Sequence, residues 1–233
     1  MQPVTFTTQQ PGTMTMNMTM NMTMKKPQRS VYNLRARLFA QLGLLLTLGL
    51  AVATQAVADW QLEPSPSSLS FVSIKNNVIA EAHTFTKLSG SVDQIGAAHI
   101  DIDLNSVETL IPIRNERMRE LLLETDKFPV ARVSAQLDMA PLLALEVEGM
   151  QVLDMPFSLT LHGIEITKSV KVRLIRLSSG AFQVSSVMPV MISSGDFGLD
   201  RGLEALREIA NLQAITPVVP VSFSVVFRQA SVE

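Results

Sequence analysis

His99-Ile100-Asp101-Ile102-Asp103-Leu104 is the stretch of this sequence in which apolar and polar residues alternate most regularly. Such alternation places Ile100, Ile102 and Leu104 on one face of a β-strand and the polar residues on the opposite face. A strand with one apolar face and one polar face is typical of an antiparallel sheet that covers a core on one side. The stretch therefore predicts antiparallel β-structure.

The same pattern recurs along the chain, at 158–162, 169–174 and 221–225, and more briefly at 146–148. Two strands are predicted to be long, 77–87 and 164–177, with turns at Gly163 and at 178–180. Prolines lack a backbone donor and are expected at strand ends or edges. They are Pro129, Pro141, Pro156, Pro189, Pro217 and Pro220.

Two segments have helical rather than β periodicity. In residues 115–125, Met118, Leu121 and Leu122 fall on one helical face. Residues 201–212 also place an apolar set on one face, and Asp200, just before them, is a candidate N-cap. The predicted order is about four strands, a helix, about five strands, a short helix and a last strand. An antiparallel set with few helices forms either a sandwich or a closed barrel, and the pattern leaves both open.

The N-terminal region predicts export. Residues 39–53 carry no charge, follow five basic residues and precede Ala56-Val57-Ala58, a small-x-small site. At 15 residues the apolar run is shorter than the roughly 20 residues that span a bilayer. We therefore predict a signal peptide at 24–58, cleaved after Ala58. A retained membrane anchor is the alternative, disfavoured because no basic cluster follows the run.

Residues 1–23 are a low-complexity leader rich in Thr-Met and Asn-Met pairs. Initiation at Met24 would place the basic residues directly before the apolar run, so we interpret Met24 as the translation start. A long genuine leader is the alternative. The mature domain would then be 59–233, 175 residues, which is enough for one buried core.

Charge and cysteine content exclude several classes of function. Five of the 19 basic residues precede Ala58 and all 21 acidic residues follow it, so the mature chain has a net charge of −7. An acidic domain has no general attraction to nucleic acid. Because the chain has no cysteine, it has no disulfide, thiol nucleophile or lipoprotein anchor.

Four motifs in the mature chain resemble those of the YceI-like family of lipid-binding periplasmic proteins. They are Ser106-Val107-Glu108-Thr109 with Arg114-Asn115-Glu116-Arg117-Met118, then Lys127-Phe128-Pro129-Val130-Ala131-Arg132-Val133, then Leu159-Thr160-Leu161-His162-Gly163-Ile164, and finally Asp196-Phe197-Gly198. Their order and spacing resemble the family pattern over about 60–228. The chain departs from the pattern at Pro156-Phe157-Ser158, where a glycine is usual, and at Val133 and Ala135, where phenylalanine is common.

The resemblance implies an all-β fold, an extended antiparallel lipocalin-like β-barrel with one or two short helices. It implies a lumen that takes a polyisoprenoid or similar long amphiphile. The inward-facing residues expected to line it are Phe71, Phe85, Ile100, Ile102, Leu104, Phe157, Leu159, Leu161, Phe182, Val184 and Phe223. Plain core packing is the alternative for each, because alternation does not distinguish a filled barrel from an open one.

Two groups of polar residues are candidates for contact with a ligand headgroup. Arg114 and Arg117 lie at a strand-to-helix junction with Ser106 and Thr109, where a helix N-terminus and arginines favour an anion. His83 is the other candidate, at a barrel mouth. The alternative for Arg114 is an ion pair with a nearby carboxylate such as Glu116.

No catalytic motif accompanies these residues, so the sequence predicts a periplasmic binding protein rather than an enzyme, with no metal and no cofactor apart from a bound lipid. Glu81 and His83 share a strand face, which keeps a metal-dependent enzyme as one alternative. A ligand-free structural or stress-related interaction domain is another. The expected partners are a lipid-like small molecule and, transiently, a membrane. The resemblance also allows a homodimer, which no sequence pattern predicts.

Overall fold

The computed structural model describes residues 60–177 and 180–230, which all lie in the unit Gln55–Glu233. Its strands are β1 (Trp60–Lys75), β2 (Ile79–Phe85), β3 (Leu88–Val92), β4 (Ala97–Asp103), β5 (Val107–Glu108), β6 (Val130–Gln136), β7 (Met150–Leu161), β8 (Ile164–Arg176), β9 (Ala181–Ser186), β10 (Val190–Ser193) and β11 (Val218–Gln229). The predictions for 1–23, for the signal peptide 24–58 with cleavage after Ala58, and for the turn residues 178–179 concern positions outside the described residues.

Eight of the strands close into an antiparallel barrel. Going around the wall, the order is β1, β3, β4, β6, β7, β8, β9 and β11, and β11 pairs again with β1. Closure leaves no free edge in this ring, which is one of the two solutions that the sequence pattern allowed. The predicted antiparallel barrel is therefore confirmed.

The seam of the barrel joins the first and last described strands. β1 pairs with β11 from Trp60 opposite Gln229 to Phe71 opposite Val221, with an irregularity between Glu63 and Ser68. Glu63 and Arg228 lie across this seam, and Arg228 Nε donates a hydrogen bond to Glu63 Oε1 at 2.5 Å. Because β1 is long, its far half also pairs with β2, just as β11 also pairs with β10. These extra strands extend the wall at one end.

Helices are more numerous than predicted, since three α-helices are present among the described residues. They are α1 (Pro112–Arg117), which continues as a π-helical turn (Met118–Leu122), then α2 (Met139–Ala144) and α3 (Asp200–Ile209). Helix α1 begins before the predicted 115–125 segment because Pro112 is well suited to the first helical position. Helix α2 is absent from the prediction. Leu199, rather than the predicted Asp200, occupies the N-cap of α3.

Several β predictions are wrong. Pro141, expected at a strand end or edge, lies inside helix α2. Residues 146–148 form a turn rather than a strand, because Glu148 has a left-handed backbone and the Gly149 amide donates back to the Glu146 carbonyl. Pro156 lies inside β7 opposite Ser169 rather than at a strand end. It is tolerated there because the pairing of β6 with β7 covers only 158–160 on the β7 side. Strand β2 also starts at Ile79 rather than at 77, because Asn76 and Asn77 form a left-handed turn.

Candidate functional site

A cavity of about 300 Å³ runs inside the barrel and is lined almost entirely by apolar side chains. This volume lies at the lower end of the range for ligand-binding pockets. The structure places every residue predicted to line the lumen on this wall, namely Phe71, Phe85, Ile100, Ile102, Leu104, Phe157, Leu159, Leu161, Phe182, Val184 and Phe223. Their contact with a ligand stays a prediction.

Small residues on the inner wall leave the space open. Gly90 lies opposite Ile100, and Ala131 lies opposite Ile102 on the neighbouring strand. A β-carbon at Gly90 would come within 2.4 Å of the His99 carbonyl oxygen, so only glycine allows β3 and β4 to approach here. Val133 and Ala135 also line the cavity. At these two positions, where phenylalanine is common in the family pattern, the side chains are small and add no ring to the lumen.

Helices cover the lumen at two places far apart along β1. Near Phe71, Met118 and Leu122 of the π turn line the cavity, together with Leu203 of α3. Trp60, at the other end of β1, belongs to the same apolar cluster as Leu142 of α2. Phe71 pairs with Val221 and Trp60 with Gln229, and these eight positions of β11 correspond to roughly 27 Å along the wall. The lumen is therefore long and covered by helix at both of these positions.

A charged cluster lies beside the Phe71 end. Glu81 accepts a hydrogen bond from Arg114 Nη1 at 2.7 Å and forms an ion pair with Lys75. Arg114 Nη2 also donates to the Thr109 carbonyl at 2.5 Å. The hydrogen bond from Lys75, together with the charge of Arg114, lowers the pKa of the Glu81 carboxyl from its ordinary value. The charge of Arg114 is thus matched within the protein, by Glu81 rather than by the Glu116 considered from the sequence.

His83 lies on the same face of β2 as Glu81 and is only 4% exposed. Its Nε2 lies 2.8 Å from Ser73 Oγ, while its Nδ1 is buried without a hydrogen-bond partner. Burial, followed by the charge of Arg114, lowers the pKa of the His83 imidazole. The ring packs against Phe71 with 5.2 Å between centroids. His83 is therefore neutral near pH 7 and lies beside the lumen.

None of the predicted headgroup residues lies on the cavity wall in the described part of the chain. His83 contacts the ring of Phe71, which does line the lumen, and Arg114 is paired with Glu81. Arg117 is half-buried in the last turn of α1. The structure brings His83 and Arg114 together around Glu81, but outside the cavity. The described residues also contain no group of three or more potential metal-ligating side chains.

Asn115 connects two parts of the first sequence motif. It is buried, and its Oδ1 accepts hydrogen bonds from the Thr109 amide at 2.9 Å and from Thr109 Oγ1 at 2.6 Å. Its Nδ2 donates to Glu108 Oε1 at 3.1 Å. These bonds hold the segment between β5 and α1 in place. The sequence alone did not show that this motif holds the β5 to α1 segment in place.

Trp60 is a wall residue that sequence reasoning missed. Its side chain lines the cavity, and its indole Nε1 is buried without a hydrogen-bond partner. A tryptophan at the start of a strand carries no pattern that distinguishes a lumen position from ordinary packing.

Among the described residues, no helix is long and apolar enough to cross a bilayer.

Comparison with known proteins agrees with this geometry. The family model of the YceI-like domain matches residues 60–227. The structure is similar to that of a polyisoprenoid binding domain from Saccharophagus degradans implicated in plant cell wall breakdown, with 36% identity, a TM-score of 0.73, and coverage of 74% of this chain and 99% of that one. BcnA from Burkholderia cenocepacia shares the fold at 17% identity and a TM-score of 0.55, with coverage of 71% and 98%. The search of curated proteins finds no match. By the family match and by the solved relative, the chain belongs to the YceI-like domain family.

Proposed function

We propose that this protein is a periplasmic lipid-binding protein, without catalytic activity, that holds a polyisoprenoid or similar long amphiphile in the barrel lumen. The observation that carries the proposal is the apolar cavity inside the closed barrel. The solved relative from Saccharophagus degradans, described as a polyisoprenoid binding domain, supports the same class of ligand.

The energetics favour a long apolar ligand. Burial of a hydrocarbon chain gains about 0.8 kcal/mol for each CH₂ group removed from water. The walls that would receive the chain are formed by rigid strands, so little ordering of the protein is required. A ligand too insoluble to cross an aqueous compartment could then be stored or carried inside the barrel.

The predicted signal peptide supports a periplasmic location, because that compartment separates two membranes by water. Transient contact with a membrane surface is part of the same proposal, since loading and release require the lipid to leave and re-enter a bilayer. A homodimer stays a prediction from the resemblance alone.

For the polar end of the ligand, we propose His83, Arg114 and Arg117 as contacts. They lie beside the Phe71 end of the lumen, where a headgroup could emerge from the apolar wall. Arg114→Ala tests this role against a purely structural one. Weaker ligand binding supports the contact, whereas unchanged affinity with a lower melting temperature assigns Arg114 to the ion pair with Glu81.

The decisive experiment is native mass spectrometry and organic extraction of protein purified from its own host. A co-purifying lipid at one molecule per chain is the expected result, and the extract identifies it. Protein stripped by the same extraction and refolded is the control, and it should rebind the extracted lipid. A clean mass without ligand would favour a structural domain, and stoichiometric metal would favour an enzyme.

A further inference from the structure

Large apolar side chains are exposed to solvent at one end of the barrel wall. In the turn between β5 and α1, Leu110 is 88% exposed, and Ile111 and Ile113 are also exposed. In the turn between β1 and β2, Val78 is 80% exposed, and the exposed Ile79 follows it. Single exposed apolar residues are ordinary, but a group of large ones in one place marks a surface that contacts a partner or a membrane.

The two turns lie beside each other. Arg114, the residue after Ile113, donates a hydrogen bond from Nη1 to Glu81 of β2 at 2.7 Å. Ile79 lies two positions from Glu81 on the same strand. We call this group of exposed side chains the apolar tip, and its members are Val78, Ile79, Leu110, Ile111 and Ile113.

The apolar tip adjoins the helical cover at the Phe71 end of the lumen. Helix α1, which carries Ile113, continues directly into the π turn. Met118 and Leu122 of that turn line the cavity, as Phe71 does. A surface that docks through the apolar tip would therefore be in contact with the segment that closes this end of the lumen.

A hydrogen-bond network holds Leu110 in its exposed position. Leu110 has a left-handed backbone, with a φ of 64°, which is unfavourable for a residue with a β-carbon. Its amide donates to Glu108 Oε1, and the adjacent Thr109 is bonded to the buried Asn115. Backbone strain that the surrounding structure maintains is concentrated at functional sites. The network therefore keeps an apolar side chain in water at a cost that a docking role would explain.

The chemistry of the apolar tip favours a lipid bilayer over a second copy of the chain. Side chains that project from two turns suit insertion between lipids, whereas a stable dimer needs a fitted surface of about 800 Å² on each partner. A second copy would also carry the same net charge of −7 over residues 59–233. Helix α1 mixes Arg114 and Arg117 with Glu116, so its attraction to anionic headgroups is weak. Apolar insertion must therefore provide the affinity.

We propose that the apolar tip inserts into the surface of a lipid bilayer and places the helical cover of the lumen at the membrane. This inference deepens the proposed lipid-binding function by naming the surface of membrane contact, and the role of that contact in lipid exchange rests on the proposed function. The two ends of the barrel then differ, since the Phe71 end faces the bilayer and the Trp60 end faces water.

Because the chain has no cysteine, a single introduced one can carry an environment-sensitive dye. Leu110→Cys labelled with a nitrobenzoxadiazole fluorophore should shift its emission to the blue when phosphatidylcholine vesicles are added. Ile95→Cys is the matched control, because Ile95 is 76% exposed in the hairpin between β3 and β4, at the Trp60 end of the barrel. Its emission should not change. A blue shift of the Leu110 label on concentration without vesicles would show self-association and overturn the proposal.

Flotation of the protein with the same vesicles measures affinity. Leu110→Asn combined with Ile113→Gln should weaken vesicle binding by about 10-fold or more, because two large apolar side chains no longer leave water. The melting temperature should not fall, since asparagine tolerates the left-handed backbone at position 110. Ile95→Gln should bind as the unsubstituted protein does. Added salt or phosphatidylglycerol should change binding little, and a strong dependence on either would overturn insertion in favour of charge attraction.

The outcomes separate this inference from the proposed function. If both labels shift, or neither does, the apolar tip is not the docking surface, and lipid extracted from the purified protein still supports the proposed function. If the Leu110 label alone shifts but the protein contains and takes up no lipid, the proposed function and the exchange role fail, while insertion of the apolar tip is retained.

Discussion

Gly202 of α3 packs against Leu121 of the π turn, so closely that a β-carbon at position 202 would come within 2.2 Å of the Leu121 carbonyl oxygen. The same β-carbon would lie 2.7 Å from the Leu122 α-carbon. Both segments contribute side chains to the cavity wall, Leu122 from one and Leu203 from the other. The position of this helical cover therefore depends on the absence of a side chain at residue 202.

Gly202→Ala should destabilise the protein by about 1–3 kcal/mol, because the added methyl group forces the two backbones apart. The direction is informative, since the same substitution in an unconstrained helix stabilises by about 1 kcal/mol. Urea unfolding followed by circular dichroism measures the change. Arg201→Ala, at an exposed position of the same helix, is the control and should have little effect. A Gly202→Ala protein as stable as the control would contradict the close contact.

Asn115→Ala should cost about 2–4 kcal/mol of unfolding free energy. The substitution leaves the buried Thr109 amide and hydroxyl without their shared acceptor, and an unsatisfied buried group costs about 1–3 kcal/mol. Thermal or urea unfolding provides the measurement. Glu116→Ala, at the neighbouring exposed position, is the control. Equal stability of the two variants would show that Asn115 does not hold the β5 to α1 segment.

Acidification should weaken the fold first through His83. Burial lowers the pKa of His83 in the folded state, so the unfolded chain binds the proton more readily and the free energy of unfolding falls as pH drops below about 6.5. The lowered pKa of Glu81 adds a second loss at lower pH, because the stability it contributes is present above about 4.5 and disappears as the carboxylate is protonated. Urea titrations between pH 7.5 and 5.5 isolate the first step. His83→Gln should flatten that step, and an unchanged slope in the variant would exclude His83 as its source.

Val133→Phe and Ala135→Phe test whether the lumen is open. In a filled core such enlargement costs about 1–3 kcal/mol, whereas an open cavity takes the added ring with little loss of stability. We expect small changes in melting temperature together with a clear loss of lipid capacity, because both residues line the cavity. Native mass spectrometry and thermal unfolding of the same samples provide the two readouts. A large fall in melting temperature without any change in bound lipid would favour a packed barrel.

Period-two alternation predicts which side chains face the inside of a barrel because the direction of each side chain along a strand follows from local sequence. Ile100 and Ile102 line the cavity in the structure, and a shift of one residue would have exposed both of them. The closed ring was not decided by alternation, because the pairing of β1 with β11 depends on contacts between residues far apart in the sequence.

The missed features depend on local backbone and side-chain geometry. Helix α2 is short, and its one local signal is the Asp138 side chain that accepts from the Ala140 amide at 3.1 Å. The 146–148 segment alternates like a strand, yet the left-handed backbone of Glu148 makes it a turn. The sequence also could not show that Trp60 Nε1 has no hydrogen-bond partner, because this depends on the orientation of the ring in the wall.

The seam described above has a consequence for the time at which the protein can fold. Glu63 and Arg228 are 165 positions apart in the sequence, and their strands complete the ring. Contacts of such long range form slowly, and this one requires the C-terminal strand to be free. Under the export that we propose, a chain still passing through a translocation channel lacks β11 on the far side, so its wall is incomplete. If export is confirmed, late closure of the seam would keep the chain unfolded during its passage and would allow the barrel to form only after release.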